Sequence, residues 1–404
     1  MFPTVDGVDN FAAETLNWDT AMDCGYSTKA QLKKQPVFES KEAARCVYRI
    51  PALLYERESK TLLAFAEQRK TSDDASGEKL VMKTGKIKEG SSEKTVEWSE
   101  LKEVEKALIK GHRPMNPCPV YDKAKKKLFL FFICVEDGIT ERYQINSYDN
   151  RTRLCYITSD DLGETWNNVI DLMDELSEIK NWATFAVGPG HGIQTESGKL
   201  IIPVYAYCRS TGPLRCCKSY ALSLYYDPDK SWKFGQTLQS ESCECQMAEV
   251  FEDNGSSFIY CNARSSGSSR VEAVSEKGFT FTKSRCTKLT ETKCFSGCQG
   301  SVVSFPAQEQ SGTAQSDPNR NKWLLFTHPT SKSDRIDLGV YVNKYPRDSK
   351  AWSEPCIIND GRSGYSDLAY IDDGWFACLF ECGQHKIHEQ IASVVFSYGD
   401  ITKK

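Results

Sequence analysis

Ser159-Asp-Asp-Leu-Gly-Glu-Thr-Trp166 is the stretch that decides the fold of this 404-residue chain. It fits the pattern Ser-x-Asp-x-Gly-x-Thr-Trp. The side chain of Asp161 can bond backbone amides in a tight turn, Gly163 can adopt a positive φ angle, and Trp166 can pack between adjacent sheets. All three roles are structural, so the motif predicts an architectural turn and not a catalytic site.

Weaker copies of this motif occur at Tyr225–Trp232 and Val274–Phe281. Aromatic residues that follow a charged or small turn residue also recur at intervals of roughly 50 to 70 residues, a period typical of radially repeated sheets. They are Trp98, Trp166, Trp232, Phe281 and Trp352. Each sheet of such a fold buries its faces against its neighbours. The pattern therefore predicts an all-β propeller, with room for roughly six blades of about four strands each.

Short runs that alternate between apolar and polar residues predict strands, as at 60–66, 199–205 and 322–327. The longest apolar run, Leu128–Val135, is interpreted as a buried strand, because a membrane-spanning helix needs about 20 residues. One helix is predicted, from Asp171 to Trp182, where apolar residues recur at helical spacing among charged ones.

With 40% hydrophobic and 11% aromatic residues, the chain can bury a large core. We expect a single domain over 1–404, with its core at about 40–400 and a surface loop at 307–321. The 51 basic and 55 acidic residues are well mixed and give a net charge of -4. Because this distribution offers no basic surface for phosphate backbones, no nucleic-acid partner is predicted.

The N-terminal stretch Met1–Asp6 has neither a basic start nor an apolar run, so no secretory signal is expected. The 17 cysteines are accordingly predicted to be reduced thiols. Close pairs such as Cys216/Cys217 and Cys243/Cys245 lack a second pair at zinc-ribbon spacing. We therefore predict no metal site.

Tyr48-Arg-Ile-Pro51 places an arginine in an apolar strand, just before a proline that cannot extend the ladder. Together with the turn motif, this stretch resembles the signature of animal sialidases, in which an Arg-Ile-Pro near the N terminus precedes Asp-containing boxes. The resemblance includes Phe65–Arg69, Met115–Pro119, Phe185–Gly190, Gly297–Ser301 and Gly364–Leu368. It implies a six-bladed β-propeller with degenerate Asp-box repeats. It also implies a retaining exo-α-sialidase that hydrolyses terminal sialic acid from glycoconjugates.

The resemblance places the family's three substrate-binding arginines at Arg49, Arg264 and Arg335. Sialic acid carries a carboxylate on its anomeric carbon, and planar, permanently charged guanidinium groups match two carboxylate oxygens. A lone arginine would more often pair with a surface carboxylate. Because all three arginines occur in stretches that match the family, the substrate-binding interpretation is favoured.

The catalytic residues implied by the resemblance are Tyr365 as nucleophile and Glu244 as the base that takes its proton. A neutral phenol suits this substrate, because an anionic nucleophile would be repelled by the sugar carboxylate. The acid that protonates the leaving oxygen and then activates water falls on Asp74 by the spacing from Arg69. The adjacent Asp73 stays open as an alternative, since this loop departs from the family pattern.

Further substrate contacts are implied by the resemblance, and each residue also has an interpretation in packing or turn formation. Glu67 in particular can instead pair with an arginine. These residues are Glu67, Arg69, Met115, Asn116, Glu141, Tyr205, Tyr207 and Gln299.

Within the family, Phe131–Val135, His191–Gln194, Tyr260–Arg264 and Leu379–Gly383 look most similar to the plasma-membrane ganglioside sialidase of vertebrates. This similarity implies gangliosides as substrates and peripheral association with the plasma membrane or another membrane surface. The alternative is the cytosolic type, which acts in the cytoplasm on glycoproteins and oligosaccharides.

A different class of function is a propeller that binds sialic acid without chemistry. Binding alone needs the three arginines, whereas Tyr365, Glu244 and Asp74 together are superfluous for it. The residue set therefore favours an enzyme, and the chemistry it implies requires neither a metal nor an organic cofactor.

Overall fold

The computed structural model describes residues 28–90, 93–209, 217–226, 231–282, 287–308 and 321–402. These ranges are almost entirely strands and turns. In chain order the strands are β1 Thr28–Lys29, β2 Gln35–Glu39, β3 Val47–Glu56, β4 Thr61–Arg69, β5 Gly77–Glu89, β6 Lys94–Trp98, β7 Lys102–Glu103, β8 His112–Asp122, β9 Lys127–Glu136, β10 Thr152–Ser159, β11 Ile170–Asp171, β12 Trp182–Val187, β13 Ile193–Gln194, β14 Leu200–Arg209, β15 Cys217–Tyr226, β16 Trp232–Phe234, β17 Cys245–Phe251, β18 Ser257–Ala263, β19 Val271–Ser275, β20 Ser301–Pro306, β21 Lys322–Pro329, β22 Ile336–Asn343, β23 Cys356–Tyr370, β24 Trp375–Cys382 and β25 Gln390–Ser397. The α-helices are α1 Glu141–Ser147 and α2 Tyr398–Thr402, and 3-10 turns lie at Glu42–Ala44, Asp74–Ser76, Ser177–Asn181 and Cys294–Ser296.

Hydrogen bonding groups the described strands into five sheets built mostly from consecutive strands. Four of them follow the orders β3-β4-β5-β6, β11-β10-β9-β8, β12-β14-β15-β16 and β17-β18-β19. The largest has eight strands and runs β2-β25-β24-β23-β22-β21-β20, with β1 beside β23. Because β2 near the start pairs with β25 near the end, the chain closes on itself. The all-β prediction is confirmed, and the arrangement is propeller-like.

The long strand β23 takes part in two different pairings within the largest sheet. Its first half pairs with β22, where Cys356 lies opposite Val340. Its second half pairs with β24, where Ser366 lies opposite Phe380 and Tyr370 opposite Phe376. The partner changes between Arg362, opposite Ile336 of β22, and Ser363, opposite Cys382 of β24. A register shift then follows between Ser363 and Ser366. The strand therefore changes its partner along its length.

Asp367 in β23 joins several sheets through one fully buried carboxylate. Its Oδ2 accepts the backbone N–H of Leu53 at 2.7 Å. Its Oδ1 lies 2.7 Å from Ser301 Oγ and 2.8 Å from His191 Nδ1. These partners come from β3, from β20 and from the segment after β12, so the inner strands converge on a polar hub.

The turn at Ser159–Trp166 has the geometry that its residues predict. The Oδ1 of Asp161 accepts the N–H of Thr165 at 2.8 Å, and Gly163 has a φ angle of +90°. The Trp166 ring lies edge-on to Phe65 of β4, 6.4 Å between centroids. Because Trp166 follows β10, it fills the space between two adjacent sheets, as predicted.

Part of the second copy of this turn, 227–230, lies outside the described residues. In the third copy, Ser275 Oγ accepts the N–H of Gly278 at 2.9 Å, and Gly278 has a φ angle of +82°. Ser159 Oγ also accepts the N–H of Gly163, at 2.8 Å, although Gly163 follows its serine by four residues and Gly278 follows Ser275 by three. Two turns far apart in sequence thus share one hydrogen bond and one glycine conformation.

The prediction of a helix from Asp171 to Trp182 is wrong. Leu172 continues the sheet by donating its N–H to the Leu154 carbonyl at 2.9 Å, and only the 3-10 turn Ser177–Asn181 follows. Leu172, Leu176 and Ile179 are all buried, so their spacing reflects core packing of an irregular segment. The α-helix in this region is α1, where Thr140 Oγ1 caps the N-terminus by accepting the Tyr143 N–H at 3.0 Å.

The strands predicted at 60–66, 128–135, 199–205 and 322–327 are confirmed as β4, β9, β14 and β21. Of the predicted loop, residues 309–320 lie outside the described residues. Within the described ranges every cysteine is a free thiol. No helix there is long and apolar enough to cross a membrane.

Candidate active site

Most of the predicted site residues line one cleft with a volume of about 860 Å³. They come from strand ends and from the loops that follow them. The predicted residues that line the cleft are Arg49, Arg69, Asp73, Asp74, Met115, Asn116, Glu141, Tyr205, Tyr207, Glu244, Arg264, Arg335 and Tyr365. The two that do not line it are Glu67 and Gln299.

Tyr365, Glu244 and Arg264 form a hydrogen-bonded group in the cleft. The Tyr365 hydroxyl donates to Glu244 Oε1. Arg264 Nη1 donates to Glu244 Oε2 at 2.7 Å and to the Tyr365 hydroxyl oxygen at 3.0 Å. Burial and the charge of Glu244 raise the pKa of Tyr365 well above its usual value, and the neighbouring arginines do not offset this. The phenol is therefore neutral in the free protein, and its proton lies in a hydrogen bond to the Glu244 carboxylate.

Two further guanidinium groups lie against the ring of Tyr365. The Cζ atoms of Arg49 and Arg335 are 5.7 and 5.4 Å from the ring centroid. Together with Arg264 they surround the phenol with three positive charges. A cluster of this kind suits an anionic ligand whose reacting carbon lies next to its charge.

Glu381 in β24 holds Arg49 in place, and the sequence analysis did not single it out. Its Oε1 accepts Arg49 Nε at 2.6 Å and the Ile50 N–H at 3.0 Å, while its Oε2 accepts the Tyr365 N–H at 3.2 Å. Glu381 is fully buried. The sequence did carry a signal for Glu381, since it is a charged residue within the apolar run of β24. A buried carboxylate requires partners, so its presence there indicates an interaction with a distant residue.

The turn at 294–297 holds the other two arginines through consecutive backbone carbonyls. The carbonyls of Phe295 and Ser296 accept Arg264 Nη2 and Arg264 Nε. The Gly297 carbonyl accepts Arg335 Nη2 at 2.7 Å. Within the described ranges Arg335 forms no ion pair with a carboxylate, and its buried Nε has no hydrogen-bond partner. Among the three arginines around Tyr365, Arg335 is thus the one that has no carboxylate partner and keeps a donor available.

Asp73 and Asp74 use their carboxylates differently. Asp73 Oδ1 caps the 3-10 turn Asp74–Ser76 by accepting the Ala75 N–H at 2.7 Å. The carboxylate of Asp74 accepts Arg69 Nη1, and its side chain is 66% exposed. Partial desolvation inside the cleft opposes ionisation of Asp74, but the charges of Arg69 and Arg49 outweigh it and lower the pKa of Asp74.

Glu67 and Gln299 lie behind the cleft wall. Glu67 accepts Arg69 Nε at 2.7 Å and the Asn116 N–H at 2.7 Å, so it pairs with an arginine, the alternative considered for it above. Gln299 Oε1 accepts the N–H of Ser366, next to Tyr365, at 3.0 Å. Both side chains support residues that line the cleft.

Glu141, Tyr205 and Tyr207 lie near one another in the wall of the cleft. The two tyrosine rings meet edge-on, 6.1 Å between centroids. Desolvation within the cleft, reinforced by the charges of Asp74 and Glu244, raises the pKa of Glu141 to about 7. This wall is therefore aromatic and carries a carboxyl group that changes its charge near neutral pH.

Comparisons with known proteins point to one family. Residues 60–378 match the family model described as BNR repeat-like domain. The chain is 41% identical to Sialidase-3 of Bos taurus, over 91% of this chain and 93% of that protein. It is 41% identical to Sialidase-3 of Homo sapiens, over 91% and 92%. It is 40% identical to Sialidase-2 of Mus musculus, over 91% and 95%.

Solved structures with low sequence identity share the fold. The Hadza microbial sialidase Hz136 aligns with a TM-score of 0.71 at 19% identity, covering 90% of this chain and 68% of that one. Trypanosoma rangeli sialidase aligns with a TM-score of 0.64 at 18% identity, covering 93% and 59%. At these identities the likeness concerns the fold.

Proposed function

Because this chain belongs to the sialidase family and is an exo-α-sialidase, we propose that it cleaves its substrates with retention of configuration, through a covalent intermediate on Tyr365. One observation carries this proposal. A neutral phenol, hydrogen-bonded to a carboxylate, lies among three guanidinium groups in a single cleft.

The three arginines bind the sialic acid carboxylate in this proposal. Arg49 and Arg264 are held by Glu381 and Glu244, so their charges are already partly compensated. Arg335 forms no ion pair with a carboxylate among the described residues, and its buried Nε lacks a partner. A substrate carboxylate would satisfy this donor, which supports Arg335 as the arginine that gains most from substrate binding.

In the first step the Tyr365 oxygen forms a bond to the anomeric carbon while the bond from that carbon to the leaving oxygen breaks. The phenol proton passes to Glu244, which already accepts its hydrogen bond. A carboxylic acid protonates the leaving oxygen. Water then attacks the anomeric carbon while the bond from that carbon to the Tyr365 oxygen breaks. The conjugate base of the acid takes a proton from the water, the departing phenolate regains its proton from Glu244, and two inversions give net retention.

We assign the acid role to Asp74, for which Asp73 is the alternative. Asp73 is engaged in capping the 3-10 turn, whereas Asp74 faces the cleft and pairs with Arg69. The charges of Arg69 and Arg49 lower the pKa of Asp74 in the free protein. A bound substrate carboxylate would compensate Arg49, and this would favour the protonated form that an acid needs.

Gangliosides are the proposed preferred substrates, with peripheral association at a membrane surface. Phe295 at the cleft rim is 71% exposed, and the exposed side chains of Lys293 and Lys332 lie on neighbouring segments, joined by a backbone hydrogen bond of 2.9 Å. An exposed aromatic ring beside cations suits an anionic lipid interface. The alternative is a preference for soluble glycoproteins and oligosaccharides.

We also propose six blades with degenerate Asp-box repeats. The change of partner along β23 supports counting the eight-stranded sheet as two blades, which added to the other four makes six. The shared serine–glycine hydrogen bond at Ser159 and Ser275 supports a repeated turn.

The first test is release of a fluorescent aglycone from an α-ketoside of sialic acid, by wild type and by Tyr365→Phe, from mildly acidic to neutral pH. We expect the variant to lose at least about a thousandfold in kcat while its melting temperature is retained, because only one hydroxyl is removed. A variant as active as wild type would refute the nucleophile. Comparing gangliosides with sialyllactose then decides the substrate class.

A further inference from the structure

Glu291 lies behind the turn that holds two of the cleft arginines. Its side chain is almost fully buried, with 2% exposed. Its Oε1 accepts the backbone N–H of Thr292 at 3.2 Å and that of Cys298 at 3.0 Å. One carboxylate oxygen therefore ties together the two ends of the segment 292–298.

The other contacts of Glu291 fix it to the body of the protein. Its Oε2 accepts Arg270 Nη1 at 2.8 Å, and its Oε1 lies 2.8 Å from His328 Nε2. Burial opposes ionisation, but Arg270 and His328 hold the pKa of Glu291 well below its usual range. Arg270 Nη1 also donates to the Cys298 carbonyl at 2.6 Å. The carboxylate is thus an ionised clamp that is itself held rigidly.

The clamped segment has an unusual backbone. Phe295 and Ser296 have positive φ angles of 50° and 54°, which residues other than glycine rarely adopt. Such conformations persist where the surrounding structure determines them, and they are concentrated at functional sites. The carbonyls of this same segment accept hydrogen bonds from Arg264 and Arg335. Its conformation therefore sets where two guanidinium groups point.

We propose that Glu291 is a positioning residue: it clamps the segment 292–298 so that the carbonyls of that segment aim Arg264 and Arg335 at the carboxylate of the substrate. This inference rests on the proposed function, because it assigns those arginines to the substrate carboxylate. Glu291 itself does not line the cleft and acts through the backbone.

The test compares two inhibitors, a 2,3-unsaturated sialic acid and its methyl ester, on the full chain. The acid carries the carboxylate that the arginines would bind, and the ester lacks its charge. Glu291→Gln places an amide N–H against donors that need an acceptor, so the segment loosens. We expect the preference for the acid over the ester to fall at least about tenfold, as for the loss of a charge-assisted hydrogen bond. KM for the fluorogenic substrate should rise more than kcat falls.

Glu272→Gln is the matched control. Glu272 is also buried, with 4% exposed, but it accepts hydrogen bonds from Trp352 Nε1 and Thr287 Oγ1, away from the clamped segment. A loss of folded protein lowers the active concentration without changing the ratio of two inhibition constants. The control should therefore keep the wild-type preference.

Gly297→Ala tests the same contact from the other side, in case Glu291→Gln does not fold. A Cβ at Gly297 would lie 2.8 Å from Glu291 Cδ, 2.8 Å from the Ser265 carbonyl oxygen and 3.1 Å from Arg264 Cγ, so this variant displaces the clamped segment and Arg264 with it. It should reduce the preference for the acid in the same way. A wild-type preference retained in both variants overturns the role of Glu291 alone. Wild type with no preference for the acid overturns the arginine assignment, and this inference falls with it.

Discussion

Replacing Arg335 with lysine should impair the enzyme while leaving the fold intact. The guanidinium donates Nη2 to the Gly297 carbonyl at 2.7 Å, and its Cζ lies 5.2 Å from the Phe295 ring centroid. Its Nε is buried without a partner. Lysine keeps the charge, but it lacks the planar fork that can bond the turn and a substrate carboxylate together.

The magnitude follows from the donors that are lost. One hydrogen bond to a charged group contributes about 1.5–3 kcal/mol. Arg335→Lys should therefore lower kcat/KM on a fluorogenic sialoside by about 10- to 150-fold. The matched control is Arg347→Lys, since Arg347 forms ion pairs with Glu252 and Glu276 and does not line the cleft. A fall of less than about threefold, with the control unchanged, would refute the role of Arg335 in carboxylate binding.

Three other changes have defined outcomes. Asp367→Asn should lower the free energy of unfolding by about 2–5 kcal/mol, measured by urea denaturation, because an amide replaces a carboxylate that accepts from both Leu53 and Ser301. A loss below about 0.5 kcal/mol would contradict the structural role of Asp367 in joining the sheets. Since the raised pKa of Glu141 is about 7, its side chain is neutral below that pH and anionic above it, where it repels an anionic substrate. The alkaline fall of kcat/KM should thus weaken in Glu141→Gln, and an unchanged pH profile would exclude this cause. Phe295→Ser should reduce co-sedimentation of the protein with vesicles that contain anionic lipid. Equal binding by wild type and variant would show that Phe295 at the cleft rim does not contribute to membrane association.

The strands and the architectural turn could be predicted because they depend on local patterns. Alternation along 128–135 follows from the two faces of a strand, and the turn at Ser159–Trp166 requires only neighbours within the motif. The helix predicted from Asp171 failed because burial of Leu172, Leu176 and Ile179 can serve an irregular segment as well as a helix. Periodicity reports which residues are buried and leaves the backbone conformation open when the segment is short.

Several support residues of the site were not predictable in this way. Glu381 is 332 residues from Arg49 in sequence, although their side chains are in contact. Glu291 and its partner His328 are likewise far apart along the chain. A buried carboxylate in an apolar context signals that a partner exists. It does not identify that partner, because nothing local encodes which distant strand end lies opposite.

The sequence by itself determined the all-β class, the family and the set of side chains whose chemistry suits a sialoside. Only the tertiary structure decided how those side chains are used: Asp73 caps a turn while Asp74 meets Arg69, and Glu67 lies behind the cleft wall. The physical reason is that residue type follows from local patterns, whereas partners are chosen where the ends of distant strands converge. A hydrogen bond requires its two heavy atoms to lie about 3 Å apart, and the separation of two residues along the sequence does not reveal whether they come that close.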